Sequence, residues 1–599
     1  MRDAANASPT PPGRRWTRRQ VLISWGVAGV GATLLSACGP AAAPPAPTTA
    51  PPAPTTAPPP ATAAPAAQSA PAATAAPAGA PAAATAPAQA AGQTPKDGGT
   101  FKFNIWTDDP PGLDPYLNVS FRVQEFSAFF YSRLLMSKKG PGIPCQAYIM
   151  EGDLAESWKP SEDGKTWTFT LRPNATWHNL PPMNGRAVTA QDVAWSFDRF
   201  MQVSPQKSTF NQVANVSATD ARTVQFTLKD AYAPFEAQIG SPLFWILPKE
   251  VVEQDGDVTR RTVGSGPFIF DKFDSGISFS GRKNPRYYRK GEPHIDSFVG
   301  LIIPDVATEM AGLRAHELDF LQVPDQELPG LRQSNPEIQY VDWEFNLIPF
   351  VYWKVDKPPF NDARVRQAVS MSINRDNFIN VIYNGRGSWN NFIPWALSEW
   401  WLDPRSADQG PTAKYFKYDP AGARQLLAAA GYPDGLQVTM LSTPGYGDVF
   451  VQGVELVQQD LKSGGIDATI KMQEYANYIA TTFAGKFDGG DQLVFGLETP
   501  FTEPHDFLFN MYHPSGTRNH AGINDQKLTA MIEQQMQTLD RAERKKQVYE
   551  IQRYLADQMY YPPGVAPYRT AGLTPQVHDL FPRSDYGFGA EVVPKLWLG

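Results

Sequence analysis

Two cysteines in 599 residues exclude a disulfide-stapled scaffold and any Cys-rich metal cluster. No long basic stripe runs along the chain, and 53 Lys+Arg against 60 Asp+Glu leave a formal charge of −7, which argues against a nucleic-acid partner. No Gly-x-Ser-x-Gly nucleophile elbow is present. Gly264-Ser265-Gly266 lacks the lysine and the spacing of a phosphate loop and reads as a tight structural turn. His505, His513 and His520 have no i,i+4 pairing and no cysteine nearby, so solvated loop histidines are expected rather than metal ligands. Carboxylates abound, yet nothing marks two of them as an acid/base dyad. Neither an enzyme nor a bound cofactor or metal is expected. What is present is 42% hydrophobic residues with 12% aromatics, enough for a sizeable core and, by length, for more than one compact body.

The N-terminus reads as an export address. Arg14, Arg15, Arg18 and Arg19 precede an apolar Gly/Ala-rich stretch, Val21–Leu35. A membrane-spanning helix needs about twenty apolar residues, so this stretch suits the core of a signal peptide, residues 1–37. Thr17-Arg18-Arg19-Gln20-Val21-Leu22 resembles a twin-arginine motif, and Leu35-Ser36-Ala37-Cys38 resembles a bacterial lipobox, in which Cys38 would carry diacylglycerol and anchor the chain in the membrane. From Gly39 to Pro95 the chain is nearly all Ala, Pro and Thr without one charged residue, a tract that cannot repay the entropy of ordering and is expected to act as an unordered spacer, residues 38–96 in all.

Beyond Gly98 the pattern is that of an α/β protein with a strand-rich first half. Trp167–Leu171 and Thr223–Leu228 alternate with period two, as half-buried strands do. Thr189 with Asp192 three residues on predicts a capped helix whose apolar face is Val193, Phe197, Phe200 and Met201. Asp419-Pro420 starts another helix, which Gly431 and Pro433 stop. Leu436–Leu441, a helical pattern through Val454, Val457 and Leu461, and the alternation Ile466–Met472 make a strand–helix–strand unit, which implies parallel pairing. Two further helices are expected at about 526–539 and 541–559.

The ordered segments Leu113-Asp114-Pro115, Leu154–Trp158 leading into Glu162–Phe169, Thr189–Val193, Val263–Phe268, Asn284-Pro285 with Tyr287-Tyr288, Pro358–Asp362 with Arg364–Ala368, and Tyr418-Asp419-Pro420 with Gly431-Tyr432-Pro433 resemble the family 5 extracellular solute-binding proteins of ABC transporters, the peptide/nickel/oligopeptide-binding group. The resemblance implies a two-lobed type II periplasmic-binding-protein-like fold with an extra domain: lobe one from 97–140, 261–345 and 566–599, the extra domain from 141–260, and lobe two from 346–565. It also implies lobe closure on a small organic solute, first an oligopeptide, which is delivered to the permease and ATPase subunits of an importer. The protein would then be extracytoplasmic and lipid-anchored at the periplasm or cell surface, with a monomer as the family's default. An oligosaccharide or glycoside is the alternative ligand, and a surface-anchored hydrolase the alternative class.

Trp389, Trp395, Trp400 and Trp401 crowd one stretch, where cleft lining and lobe packing are both open; in the family the corresponding stretch borders the ligand. Phe121 and Phe501 are further ligand-facing candidates by the same resemblance. Peptide-binding relatives hold the ligand amine with an aspartate after a Gly-Trp. Here the stretch reads Gly496-Leu497-Glu498, so Glu498 is the nearest carboxylate, as an ammonium partner or as a surface acid.

Overall fold

A computed structural model describes residues 94–106, 110, 112–118, 120–145, 147–498, 501–584 and 592–599, all within one unit, Ala80–Gly599. The expected signal peptide, Cys38 and the Ala/Pro/Thr tract up to residue 93 lie outside the described residues. No helix among those described is long and apolar enough to cross a membrane.

The chain builds three principal sheets. The largest has eight strands, in the order Gln339–Glu344, Val565–Leu573, Phe320–Val323, Thr100–Trp106, Ser297–Ile302, Ser278–Lys283, Phe268–Asp274, with Gly387–Trp389 added alongside Val565–Leu573. Its first strand shows why it belongs inside: Phe101 and Phe103 are fully buried on either side of exposed Lys102. The strand pairs in parallel with Ser297–Ile302, Thr100 facing Ser297. Helix Phe121–Phe130 lays Phe126, Phe129 and Phe130 over this sheet, with the Phe129 and Phe298 rings 4.4 Å apart.

The second sheet is antiparallel, Ala155–Pro160, Thr166–Leu171, Thr223–Leu228, Val213–Ala218. The predicted alternation is realised: Trp167, Phe169 and Leu171 turn inward, as do Val224, Phe226 and Leu228. Helix Ala190–Val203 covers it and opens on the expected capping box, the Thr189 side chain accepting from the Asp192 N–H while the Asp192 carboxylate accepts from the Thr189 N–H at 2.8 Å.

The third sheet runs Ile348–Tyr352, Gln492–Glu498, Leu436–Ser442, Ile466–Met472. Leu436–Ser442 and Ile466–Met472 pair in parallel through helix Asp448–Ser463, the strand–helix–strand unit read from the sequence. Helices Pro420–Ala429, Gln526–Gln537 and Arg541–Gln558 pack around this half.

Gly264-Ser265-Gly266 is a structural close approach. The Gly264 N–H donates to His178 Nδ1 and its carbonyl accepts from the His178 N–H, which draws this backbone against Phe130. A Cβ at Gly264 would sit 1.8 Å from the Phe130 carbonyl oxygen, with no flexible side chain to yield. Gly264→Ala is therefore expected to lower stability by about 1–3 kcal/mol, read as a drop in the urea midpoint. An unchanged midpoint would mean that the two backbones separate without cost.

Candidate functional site

The chain passes between the largest and third sheets in two adjacent segments. Glu344 ends a strand of one and Ile348 begins a strand of the other, with only Phe345-Asn346-Leu347 between. The return runs antiparallel to it: the Gly564 N–H donates to the Pro349 carbonyl at 2.8 Å, the Val351 N–H to that of Pro562 at 3.3 Å and the Phe345 N–H to that of Pro567 at 3.3 Å. Trp395, Ala396 and Ala566 pack together at this crossing, with Leu347, Trp401 and Tyr568 against them, and the Trp395 and Tyr568 rings meet edge-on at 4.8 Å.

Polar groups at the crossing are incompletely satisfied. Asn346 Nδ2 donates to the Phe501 carbonyl at 2.7 Å, yet Asn346 Oδ1, Trp395 Nε1, Trp401 Nε1 and Arg569 Nε are buried with no hydrogen-bond partner among the described residues. Buried polar groups are normally paired, and these four belong to residues of the two crossing segments or to side chains packed against them. The Arg569 guanidinium lies 4.3 Å over the Phe345 ring. Nearby, the Cys145 thiol donates to Glu344 Oε2 at 3.0 Å and accepts from the Ser584 hydroxyl at 3.5 Å. Burial, and then the Glu344 carboxylate, push that thiol up to about 12, so it stays protonated and unreactive at neutral pH.

A cavity of about 480 Å³ adjoins, a volume suited to a small organic ligand. Tyr148, Ile149, Met150, Ala233, Glu236 and Ala237 line one side. Glu399, Trp400, Thr502, Glu503, Pro504, Arg541 and Arg544 line the other. Arg541 grips Glu399 through two hydrogen bonds, Arg544 pairs with Glu503 at 2.5 Å, and both guanidinium groups lie about 5 Å over the Trp400 ring. Glu236 accepts from Trp158 Nε1 at 2.7 Å and feels Arg541 through space, so the lining sets three carboxylates, Glu236, Glu399 and Glu503, against two guanidinium groups.

Beside the cavity, Tyr232–Ile239 docks on helices Pro504–Tyr512 and Gln526–Gln537. The Ala233 N–H donates to the Met536 carbonyl at 2.7 Å, and Gln238 Nε2 donates to Asp506 Oδ1 at 3.0 Å. Burial, and then the Glu503 carboxylate, push Asp506 up to about 7. A carboxyl raised on folding stabilises fully below its unfolded value of 3.8, and that contribution is lost as pH rises through about 7. The wild-type unfolding midpoint is therefore expected to fall more steeply between pH 5 and pH 8 than that of Asp506→Asn; equal slopes would assign the titration to another group.

The sequence candidates are dispersed. Trp395 and Trp401 stand at the crossing and Trp400 on the cavity wall. Phe501 packs edge-on against Phe507 at 5.1 Å and offers its carbonyl to Asn346. Trp389 is held in packing, its Nε1 donating to Asp376 Oδ1 at 2.8 Å between the Arg375 and Arg405 guanidinium groups. Phe121 is the first residue of its helix. Glu498, at the end of its strand, is buried and bound to His520 Nε2 at 3.1 Å.

The histidines correct the expectation of solvated loops. His505, His513 and His520 are all buried: His505 lies in helix Pro504–Tyr512 with Gln535 Nε2 at 2.7 Å, and His513 stacks on Phe509 at 4.3 Å. Their Pro/Gly/Asn-rich surroundings describe local turns but not what packs over them. Asn346, Tyr568 and Arg569 escaped the sequence reading because no motif marks them; Arg518 and His520 lie 20 and 22 residues after Glu498, beyond any local pattern.

Known proteins align with this architecture. The sequence model of the bacterial extracellular solute-binding proteins, family 5 (middle region), matches residues 150–519. Heme-binding protein A of Haemophilus influenzae is 27% identical over 500 residues, covering 77% of this chain and 85% of that protein. Di/tripeptide-binding protein 1 of Pseudomonas aeruginosa is 26% identical over 434 residues, covering 68% and 78%. Among solved structures, HbpA2 from Haemophilus parasuis superposes with a TM-score of 0.71 at 24% identity, over 84% of this chain and all of that one. The binding protein DppA from Helicobacter pylori, in complex with the peptide STSA, gives a TM-score of 0.67 at 24% identity, over 84% and 98%.

Proposed function

Because the chain belongs to the family 5 extracellular solute-binding proteins, we propose that it captures an oligopeptide at the crossing between its largest and third sheets and hands it to an ABC importer. Members of this family are transport binding proteins rather than enzymes, so the residues here are required to hold a ligand and release it unchanged. The observation that carries the reading is the group of unpartnered buried polar atoms, Asn346 Oδ1, Trp395 Nε1, Trp401 Nε1 and Arg569 Nε, beside a ligand-sized cavity. The backbone amides and carbonyls of an extended peptide supply partners of both kinds. The excess of carboxylates over guanidinium groups in the cavity lining, three against two, supports a ligand that brings a positive group, as a peptide ammonium does.

In this reading the largest sheet is the core of lobe one (97–140, 261–345 and 566–599), the third that of lobe two (346–565), and the antiparallel sheet the extra domain (141–260). Residues 345–347 and 562–564 form the hinge, and closure brings the two walls of the cavity onto the ligand. The proposal extends to a monomer held at the outer face of the membrane by a lipid on Cys38, which keeps the receptor near its permease.

Native mass spectrometry of the full-length chain in mild detergent, with fragmentation of whatever it releases, tests this. Peptide masses are the expected result. Hexose-spaced masses would move the reading to an oligosaccharide held by the tryptophans, and a chemically altered product after incubation with ligand would overturn the transport role.

A further inference from the structure

Where Tyr232–Ile239 docks on helix Pro504–Tyr512, one side-chain amide is only half used. Gln238 is 4% exposed, and its Nε2 donates to the Tyr232 hydroxyl at 2.8 Å and to Asp506 Oδ1 at 3.0 Å. Its Oε1 is buried with no hydrogen-bond partner among the described residues. A buried amide oxygen left without a donor is costly, and an ionised carboxylate beside it has no hydrogen to give. A protonated carboxyl has one. Carboxyl and carboxamide can then exchange two hydrogen bonds, O–H to the amide oxygen and N–H to the carboxyl oxygen.

The charges around Asp506 favour that proton. Glu503 and His505 stand beside it on its own helix, helix Arg541–Gln558 brings Arg544, helix Gln526–Gln537 the neutral Gln535, and the docking segment Tyr232. Arg544 is already spent: its Nη2 pairs with Glu503 Oε1 at 2.5 Å and its Nε donates to Gln535 Oε1 at 3.1 Å. It reaches Asp506 through space, where the Glu503 carboxylate opposes it. Burial, and then Arg544, keep the His505 imidazole uncharged at neutral pH, with Gln535 Nε2 at 2.7 Å from its Nδ1. Glu236, on the docking segment, is turned to Trp158 Nε1. One cation thus serves one carboxylate, and a second negative charge at Asp506 has no ion-pair partner within 4 Å among the described residues.

We infer that Gln238 and Asp506 form a proton-dependent latch: sharing a proton taken from solvent, they fasten Tyr232–Ile239 to helix Pro504–Tyr512 in acid and loosen it as pH rises. On the two-lobed reading, upon which this consequence rests, closure across the contact takes up a proton, so an acidic exterior favours the form that holds the ligand.

Hydrogen exchange of the full-length chain, read by mass spectrometry and corrected for the chemical exchange rate, tests the latch. Peptides covering 232–240 report it, and peptides covering 436–442 report global opening. From pH 5 to pH 8 wild-type protection at 232–240 is expected to fall on the order of tenfold or more, and further than the control. A carboxyl at about 7 when docked and 3.8 when free shifts the docking equilibrium by that order across the interval. Asp506→Asn offers Gln238 a donor and an acceptor at every pH and should stay protected throughout. Gln238→Leu should lose more protection at pH 5 than at pH 8. A wild-type pH response retained in Asp506→Asn, or an equal loss at both pH values in Gln238→Leu, overturns the latch. Calorimetric titration with trialanine at both pH values tests the consequence for closure. A preference for pH 5 several-fold larger in wild type than in Asp506→Asn supports it, and equal preferences overturn it. If trialanine binds at neither pH the peptide reading fails, while the exchange result still decides the latch.

Discussion

Arg375→Ala is expected to destabilise the half of the protein built on the third sheet by about 3–5 kcal/mol, seen as a lower urea midpoint and a depressed thermal transition. Arg375 is almost wholly buried. Its Nε donates to the Pro563 carbonyl at 3.0 Å, Nη1 to those of Phe416 at 2.7 Å and Ser370 at 3.1 Å, and Nη2 to the Ser370 hydroxyl at 3.0 Å. The side chain thus ties helix Ala363–Ser372, the end of the segment Ala407–Tyr415 and the return crossing at Pro563 into one knot. Truncation would leave three carbonyls facing apolar walls, Ile373, Phe378 and Val565 among them, and each loses its partner without gaining water. Burial lowers the Arg375 pKa to about 9, still charged at neutral pH, so the carbonyl dipoles solvate a real cation. Arg375→Lys keeps the charge but not the fork, and should fall between wild type and alanine. An alanine variant within 1 kcal/mol of wild type would show that the site collapses or hydrates freely.

Asp114→Ala is expected to cost a similar amount, about 3–5 kcal/mol, by stranding a buried cation. Arg199 Nη2 reaches Asp114 Oδ2 at 2.6 Å and Nη1 reaches Oδ1 at 3.3 Å, with both side chains nearly inaccessible to solvent. The same carboxylate accepts from the Tyr116 N–H at 2.9 Å and from those of Leu117 and Val258 at 3.3 Å. One aspartate therefore closes a turn near the start of the folded body and fastens it to helix Ala190–Val203, more than eighty residues away. Removing both charges avoids the stranded cation, so Asp114→Leu with Arg199→Met should be less damaging than Asp114→Ala alone. A double variant as unstable as the summed single changes would assign the loss to the turn rather than to the ion pair. Leu113-Asp114-Pro115 was one of the segments that carried the family resemblance, and this contact supplies a physical reason for its aspartate.

Where a pattern is local, the sequence disclosed it. Period-two burial marked Thr166–Leu171 and Thr223–Leu228, a side chain returning to its own backbone marked the start of Ala190–Val203, and the strand–helix–strand order marked the parallel pair at Leu436 and Ile466. The candidate site is less legible because its members meet only through tertiary placement. Asn346 and Phe501 are 155 residues apart, and Trp395 meets Tyr568 across the two crossings. Four neighbouring tryptophans shared one composition signal yet went to three environments, since the chain between Trp389 and Trp401 turns among helices that local sequence does not name. Glu498 illustrates the same limit: its strand position was readable, whereas its partner His520 arrives from a later loop.

The position of Val565–Leu573 inside the largest sheet, between Gln339–Glu344 and Phe320–Val323, sets an order on biogenesis. A nascent chain that has reached residue 498 already holds every strand of the antiparallel and third sheets. The largest sheet, although its first strand is translated before either, cannot join its two flanks until residues 565–573 have emerged. Until then Phe320–Val323 and Gln339–Glu344 present unpaired edges, open to chaperones and to mispairing alike. The half of the molecule begun first is thus the half completed last, which leaves it without its joining strand for nearly the whole of synthesis.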